Sequence, residues 1–388
     1  MTDPEGTHRG GARSMNEGTD SAENPARAGR DGAGRDGASH GGAGGLAGID
    51  PAGVTGWFVT HVNGMRPPLR FELIAGGRSN LTFAVADATA RRWVLRRPPT
   101  GHLLPTAHDM AREHRVIEAV RPAGIPVPRA VGYCADASVT GAPFYVMDFV
   151  DGHVMRAEGD AAALFTLEQR RRISEDLVDT LAALHALDPD DVGLGDLGRR
   201  DSYVVRQLRR WYGQYVASRD EHGGPDVADI DAVHDRLVAA IPEQHRAGIV
   251  HGDYRLDNVV VDDGGKVAAV LDWELCTLGD TMADLGQLLV YWADPGDTSV
   301  LAHTATTDGG FLTRQELAAR YAAASGRSIQ HLDYYMAFAY WKVACILEGV
   351  YVRYVAGAMG HDGFDHSGYP GMIRQLASLA LDAAGRIG

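Results

Sequence analysis

One loop constrains the fold of this chain most strongly, because the residues on both sides of it are strand-like. An apolar run leads into Asp253, and Asn258 follows in the same loop. A turn rich in Asp and Gly at 262–265 folds the chain back, and a second apolar run ends at Asp272. We therefore expect a small hairpin that brings Asp253, Asn258 and Asp272 together at one end.

These three side chains are the ones that phosphoryl transfer from a metal-bound nucleotide requires. Asp253 would accept the proton of the attacking hydroxyl, and Asn258 and Asp272 would hold magnesium against the phosphates. Protein kinases use the same Asp-x-x-x-x-Asn spacing, with a second metal-binding Asp one hairpin later. The pattern therefore predicts a kinase-like active site.

The sequence His251-Gly252-Asp253, with Asn258 and Asp272-Trp273-Glu274, resembles the aminoglycoside phosphotransferase (APH) family. Within that family the chain is similar to the kinase-like domain attached to some acyl-CoA dehydrogenases. The resemblance implies an α+β, two-lobed, protein-kinase-like fold. It has a small five-stranded antiparallel β lobe with one helix and a larger, mainly helical lobe. It also implies a phosphotransferase that uses ATP or GTP with Mg²⁺ and acts on the hydroxyl group of a small molecule.

The chain divides by composition into a tail and two predicted lobes. Residues 1–48 are dominated by Gly, Ala, Arg, Asp and Ser, so they bury too little apolar surface to offset the entropy of ordering, and we expect disorder. Residues 49–150 are predicted to form the lobe that covers the nucleotide. Residues 151–388 would then carry the catalytic loop, the metal site and the substrate pocket.

Bulk properties exclude several classes of partner. A net charge of −14 argues against nucleic acid or an anionic membrane as the main partner. The 3 cysteines are far apart in sequence, which suits a reducing cytoplasm better than a disulfide framework. We recognise no signal peptide and no membrane-spanning apolar run. We therefore expect a cytoplasmic protein, and the sequence does not predict its oligomeric state.

A glycine-rich segment lies between the first two of three strand-like runs, 69–74, 81–85 and 91–96. Backbone N–H groups of such a segment can approach a triphosphate, and kinases cover their nucleotide with a β-loop-β element of this kind. A plain turn between strands is the alternative. The residues predicted to contact phosphate are Gly76, Gly77, Ser79 and Asn80.

Kinases also need a cation on the third strand, oriented by a glutamate from a helix. Strand alternation selects Arg96 rather than Arg97, where the resembling family more often has Lys and the acyl-CoA-dehydrogenase-linked branch is similar in having Arg. A helix is predicted over 106–120, and Glu113 lies on its apolar stripe. Because an inward-facing charge is costly without a partner, we predict an ion pair between Arg96 and Glu113.

The resemblance assigns two further sets of contacts. The exit from the fifth strand is the hinge that meets adenine, through Met147, Asp148 and Phe149, although Met147 and Phe149 could also be plain core. Arg255 corresponds to the residue that steadies the transferring phosphoryl group. A salt bridge from Arg255 to Asp257 is the simple alternative.

Three other polar residues are expected to have structural roles. His251 should support the catalytic loop through hydrogen bonds rather than by titrating. Asp284 is expected to stabilise a helix start or a loop rather than to bind metal. His185, at a predicted helix end, is interpreted as a packing or dipole residue.

The acceptor is the least constrained part of the prediction. A helical segment over 334–355 is apolar nearly all round, and it contains Lys342 and Arg353, with Glu348 the clearest acid. Family members that modify aminoglycosides need carboxylates here, so we favour a metabolite with an apolar or anionic part, such as a hydroxyacyl-CoA. The alternatives are an aminoglycoside or macrolide resistance kinase, a pseudokinase that binds nucleotide without turnover, and a metal-dependent hydrolase.

Overall fold

The computed structural model of the chain describes residues 46, 48–75, 80–100, 109–222, 227–244, 246–297, 301, 304–357 and 365–387. Within these ranges a five-stranded antiparallel sheet with two helices is followed by a larger, mainly helical part. The strand order is β1-β2-β3-β5-β4. The elements of this first part are α1 (Pro51–His61), β1 (Arg70–Ala75), β2 (Leu81–Ala86), β3 (Arg92–Arg97), α2 (Met110–Val120), β4 (Ala130–Cys134) and β5 (Phe144–Asp148).

Both helices of the first part begin directly after an aspartate cap. The helix expected over 106–120 begins instead at Met110, where the side chain of Asp109 accepts a hydrogen bond from the backbone N–H of Arg112 at 3.0 Å. Helix α1 begins at Pro51, after the N-cap Asp50. The β lobe therefore has two helices among its described residues rather than one.

Both faces of the sheet are buried, and this separates the two arginines at the end of β3. Leu95 belongs to a core shared with α1, whereas Val94 belongs to the larger core shared with α2. Successive side chains of a strand point to opposite faces. Arg96 therefore lies on the α2 side and Arg97 on the α1 side, where Arg97 donates to the carbonyls of Gly48 and Thr140.

The second part contains eight α-helices and four short strands within the described residues. Strand β6 pairs with β9, and β7 pairs with β8 as the hairpin predicted after the catalytic loop. The elements are α3 (Asp160–Leu164), α4 (Leu167–Ala186), α5 (Tyr203–His222), α6 (Ala228–Ala239), β6 (Ala247–Val250), β7 (Val259–Val261), β8 (Val267–Val270), β9 (Thr277–Asp280), α7 (Met282–Val290), α8 (Arg314–Ser325), α9 (Leu332–Val355) and α10 (Tyr369–Ala384).

Helix α9 lies at the centre of this part, with α5, α6, α7 and α10 packed around it. This explains why its sequence is apolar on nearly every face. Among the helices in the described ranges, none combines the length and the hydrophobicity needed to cross a membrane.

Candidate active site

The loop that carries Asp253 leaves β6 through a turn that requires glycine. Gly252 has φ +87°, a conformation that residues with a side chain rarely adopt. A Cβ at Gly252 would lie 2.8 Å from Cβ and 2.9 Å from the carbonyl oxygen of Leu275. Glycine at this position therefore lets the loop pass close to the segment after β8.

The same loop is anchored from below by Asp284, in the first turn of α7. Its two carboxylate oxygens accept hydrogen bonds from the backbone N–H groups of His251 at 2.6 Å and Gly252 at 2.8 Å. Burial alone would raise the pKa of Asp284, but the bonds from His185 and from the loop hold it below its ordinary value. The predicted loop-stabilising role of Asp284 is confirmed.

The two histidines contribute to this network in different ways. His251 contacts the carbonyl of Leu271 at 2.9 Å and the backbone N–H of Asp253 at 3.2 Å, so its predicted support of the loop is confirmed. His185 is fully buried and lies between the carboxylate of Asp284, at 3.2 Å, and the hydroxyl of Tyr321, at 2.7 Å. His185 thus helps to hold Asp284, which in turn holds the catalytic loop. Its position at a predicted helix end did not indicate this role.

The Asp253 carboxylate is held by donors from the loop and from α7. Asn258 Nδ2 donates to Asp253 Oδ2 at 2.8 Å, and Gln287 Nε2 lies 3.4 Å from Oδ1. Burial would raise the pKa of Asp253, but Arg255 and Lys342, the largest opposing influences, keep it below its ordinary value. Asp253 is therefore an ionised acceptor at neutral pH, as a group that receives a proton or orients a hydroxyl must be.

Arg255 makes the salt bridge to Asp257 that was the simple alternative, and its contact with the phosphoryl group stays a prediction. Its Nε lies 3.0 Å from Asp257 Oδ1 and 3.3 Å from Asp253 Oδ1. The guanidinium also stacks on the ring of Tyr291, with Cζ 4.6 Å from the ring centroid. The salt bridge to Asp257 is present, and it holds the cation beside Asp253.

The predicted metal ligands are brought together by the register of the β7–β8 hairpin. The backbone N–H of Leu271 donates to the carbonyl of Asn258 at 2.8 Å, so Asp272 follows directly beside Asn258. Asp272 has φ +66° and ψ +63°, a left-handed conformation that Asp tolerates better than most residues. Because Asn258 Nδ2 faces Asp253, its other amide atom, the oxygen Oδ1, is the one left to serve as a metal ligand.

This donor set fits magnesium. Mg²⁺ prefers oxygen ligands and commonly takes one or two from protein, with water and substrate phosphates completing its octahedron. Within the described ranges, no group of three or more His, Cys, Asp or Glu residues is arranged to hold a metal ion. A site built from Asn258 and Asp272 would therefore depend on the phosphates of a nucleotide.

Arg96 joins the β lobe to this site. Its Nη2 lies 2.5 Å from Asp272 Oδ1, and its Nε lies 3.2 Å from Glu113 Oε2. Glu274 Oε2 is 3.5 Å from Nη2. The predicted pair with Glu113 is present, and Arg96, rather than Arg97, is the arginine that faces the site.

Glu113 is almost fully buried, and neutral donors add to its ion pair. Asn80 Nδ2 donates to Glu113 Oε1 at 2.8 Å, and the Tyr145 hydroxyl donates to Oε2 at 3.1 Å. Burial raises the pKa of Glu113 to about 7, although Arg96 acts in the opposite direction. The pKa of Arg96 itself lies above its ordinary value, because Asp272, Glu113 and other neighbours outweigh its burial.

Part of the predicted nucleotide-binding loop, namely Gly76, Gly77 and Ser79, lies outside the described residues. Asn80 is described and nearly buried. Besides its bond to Glu113, it donates to Glu274 Oε2 at 3.1 Å. Asn80 thus links two acidic residues near Arg96, and its phosphate contact stays a prediction.

The hinge residues all have protein contacts. Met147 is buried in the larger core. The Asp148 carboxylate pairs with Arg129, with donor–acceptor distances of 2.7 and 2.8 Å, and the Phe149 ring lies 4.0 Å from the guanidinium carbon of Arg92. The backbone N–H groups of Asp148 and Phe149 also donate within the protein, to the carbonyls of Arg129 and Arg92, so the adenine contact of this segment stays a prediction.

Three residues at the site were missed by sequence reasoning, and a fourth was given another role. Gln287 comes from a helix that follows the motif, and Tyr145 and Glu274 were interpreted only as strand and motif positions. Lys342 was used only as a clue to the acceptor. For Lys342 and Gln287 a signal was available, since a polar residue inside an apolar helix stripe needs a partner. The partner itself could not be identified, because it lies far away in sequence.

Comparison with known proteins agrees with this geometry. Residues 70–322 match the phosphotransferase enzyme family (APH). Mouse acyl-CoA dehydrogenase family member 10 is 34% identical over 336 residues, which cover 85% of this chain and 30% of that protein. The chicken acyl-CoA dehydrogenase family member 11 is 33% identical over 321 residues, covering 81% and 40%. The chain thus spans 30% to 40% of the length of these relatives.

Solved structures show the same fold. A candidate aminoglycoside phosphotransferase from Ralstonia eutropha is 31% identical with a TM-score of 0.72, covering 88% of this chain and 99% of that one. Macrolide 2'-phosphotransferase type I is 17% identical with a TM-score of 0.56, covering 84% and 99%. The predicted two-lobed, kinase-like α+β fold is confirmed. The predicted resemblance to aminoglycoside phosphotransferases and to the proteins named acyl-CoA dehydrogenase family members is confirmed as well. The chain belongs to the APH phosphotransferase enzyme family.

Proposed function

We propose that this protein is a small-molecule kinase that transfers the γ-phosphoryl group of ATP or GTP to a hydroxyl group. The observation that carries the proposal is the meeting of Asp253, Asn258 and Asp272 in one loop and hairpin, with Arg96 bound to Asp272. Phosphoryl transfer is catalysed mainly by positioning and by electrostatic stabilisation, and these residues supply both.

Each residue then has one task. Asp253 orients the acceptor hydroxyl and receives its proton. Asn258 and Asp272 hold Mg²⁺, which neutralises charge on the phosphates when it is bound. Arg96, oriented by Glu113, contacts the phosphates, and Arg255 stabilises the charge that develops on the transferring group.

The nucleotide would lie between the two lobes. The glycine segment that contains Gly76 and Gly77 would cover the phosphates, with Ser79 and Asn80 as further donors. The hinge at 147–149 would meet the base. We place the protein in the cytoplasm, which its buried thiols Cys134, Cys276 and Cys345 support.

We further propose that the acceptor has an anionic or apolar part, as a hydroxyacyl-CoA does. One structural observation supports this. Glu348, the clearest acid of α9, is fully buried and so is not presented to a polycationic sugar. The names of the mouse and chicken relatives refer to acyl-CoA dehydrogenases, which suggests acyl-CoA chemistry as the first class to test.

A pseudokinase, which binds nucleotide without turnover, is the second candidate. Arg96 stands where the family more often has Lys, and its guanidinium forms ion pairs with three carboxylates. The test is consumption of magnesium-ATP and magnesium-GTP by the purified chain against hydroxyacyl-CoAs, aminoglycosides, macrolides and amino alcohols. We expect acceptor-stimulated consumption that Asp253→Asn abolishes. Tight nucleotide binding without turnover for any acceptor would favour the pseudokinase. If the chain neither bound nor consumed the nucleotides, the proposal would be refuted.

A further inference from the structure

A lysine lies in the middle of the largely apolar helix α9. Helix α9 packs against four neighbouring helices, and the side chain of Lys342 is buried there with 7% of its surface exposed. Burial of an ammonium group is unfavourable unless it has a partner. An apolar residue of similar length would suit this position better if packing were the only requirement.

The partner of this lysine is the backbone of the catalytic loop. Lys342 Nζ donates to the carbonyl oxygen of Gly252 at 2.9 Å. The N–H of the same Gly252 donates to Asp284 Oδ1 at 2.8 Å. Both polar backbone groups of the residue before Asp253 are therefore bonded to charged side chains, one from α7 and one from α9.

We propose that Lys342 is a positioning residue for phosphoryl transfer, which holds the peptide between Gly252 and Asp253 in the orientation that the base requires. The proposal rests on the proposed function of Asp253. Gly252 is at φ +87° and has no side chain to restrict its rotation, so hydrogen bonds restrict it. Two of them are made by Gly252 itself, and the third runs from the N–H of Asp253 to His251 Nδ1 at 3.2 Å. Without the bond from Lys342, the peptide can turn and carry the Asp253 carboxylate away from Asn258.

Lys342 also interacts with the carboxylates of Asp253 and Asp284. Burial lowers the pKa of Lys342, and these two carboxylates act in the opposite direction. No recognised motif includes Lys342, which lies 90 residues after Gly252 in sequence. The hydrogen bond from Lys342 to Gly252 therefore joins helix α9 to the catalytic loop, two segments that are far apart in the sequence.

The test uses three variants of the full chain. Lys342→Met removes the charge and the donor but keeps the length, and because burying a charge is unfavourable we expect it to fold. Lys342→Arg keeps both properties. The control is Arg170→Met, since Arg170 is another buried cation that bonds loop carbonyls, those of Asp308 and Gly309, away from the site.

The first readout is amide hydrogen exchange, which does not depend on activity. Lys342→Met should speed amide exchange in the loop 251–258 by about tenfold. Arg170→Met should speed amide exchange only near residues 305–310. The second readout is hydrolysis of magnesium-ATP or magnesium-GTP with water as acceptor. Lys342→Met should lower kcat by about 10- to 100-fold with unchanged nucleotide affinity, and Lys342→Arg should recover most of that loss.

Two results would overturn the proposal. One is unchanged loop exchange in Lys342→Met, and the other is a kcat no lower than that of Arg170→Met. Failure of the proposed function would look different, because the wild-type chain would then neither bind nor hydrolyse the nucleotides. In that case the exchange measurement still decides whether Lys342 holds the loop.

Discussion

The guanidinium of Arg96 and the carboxylate of Asp272 lie 2.5 Å apart, and this ion pair connects strand β3 of the sheet to the loop after β8. The pair occupies the place where, in the proposed function, nucleotide phosphates and magnesium meet. Both residues are mostly buried, so the contact is shielded from solvent. Each partner of the pair therefore has a distinct and testable effect on nucleotide binding.

Arg96→Met should weaken magnesium-ATP binding by about 10- to 100-fold, because a hydrogen bond to a charged group contributes about 1.5–3 kcal/mol. Arg96→Lys should bind more tightly than Arg96→Met, since it keeps the charge but loses the fork. Isothermal titration calorimetry measures these affinities. Arg97→Met is the control, as Arg97 faces α1 and should affect stability alone. Equal weakening by both Met variants would remove the phosphate role of Arg96.

Asp272→Asn should strongly weaken nucleotide binding when magnesium is present. When a chelator removes the magnesium, the variant should bind nucleotide almost as well as the wild type does. The reason is that a neutral amide neutralises less of the charge on the cation. We expect a loss of at least about tenfold in the presence of magnesium, measured by titration with and without the metal. If the variant bound magnesium-nucleotide as tightly as the wild type, Asp272 would not be a metal ligand.

Asp253→Asn should abolish phosphoryl transfer and leave nucleotide affinity nearly unchanged. The amide keeps the shape of the side chain but cannot accept a proton, and general-base catalysis contributes about 100- to 10,000-fold. Single-turnover transfer and nucleotide titration on the same preparation separate the two effects. A parallel loss of binding and transfer would show that the role is misassigned.

Glu113→Gln should lower activity through Arg96. The variant keeps an acceptor for Asn80 but loses the negative charge that orients the guanidinium, so kcat/KM should fall by about tenfold or more. Glu118→Gln is a matched control on the same helix, where the carboxylate is exposed and pairs with His114. Wild-type rates in Glu113→Gln would show that the ion pair has no catalytic effect.

Glu348 should make stability depend on pH. It is fully buried in α9, and burial raises its pKa to about 7, although Ser218 and Arg219 act in the opposite direction. A raised pKa means that the folded state binds the proton more tightly, so the contribution of Glu348 to stability should be fully present below pH 4.5 and be lost as pH rises through 7.

Glu348→Gln mimics the protonated form at every pH. It should raise Tm by about 2–4 °C at pH 8 and have little effect at pH 5, as measured by calorimetry. The same increase at both pH values would show that the carboxyl is not the titrating group.

Local patterns in the sequence were enough to predict a large part of the fold and of the candidate site. The spacing of Asp253, Asn258 and Asp272 around a two-stranded turn was enough to predict that they meet, because a hairpin joins residues that are close in sequence. Alternation along β3 separated Arg96 from Arg97, and the apolar stripe of α2 selected Glu113. Each of these inferences needs only the period of one element.

Tertiary structure alone decided what surrounds those residues. Lys342 reaches Gly252 and Gln287 reaches Asp253 because α7 and α9 pack side by side beneath the catalytic loop. Periodicity shows which face of a helix is buried but not which distant group it meets, because that depends on how the helices cross. The sequence therefore identified the residues that we propose to carry the chemistry, and packing between distant helices decided how they are held.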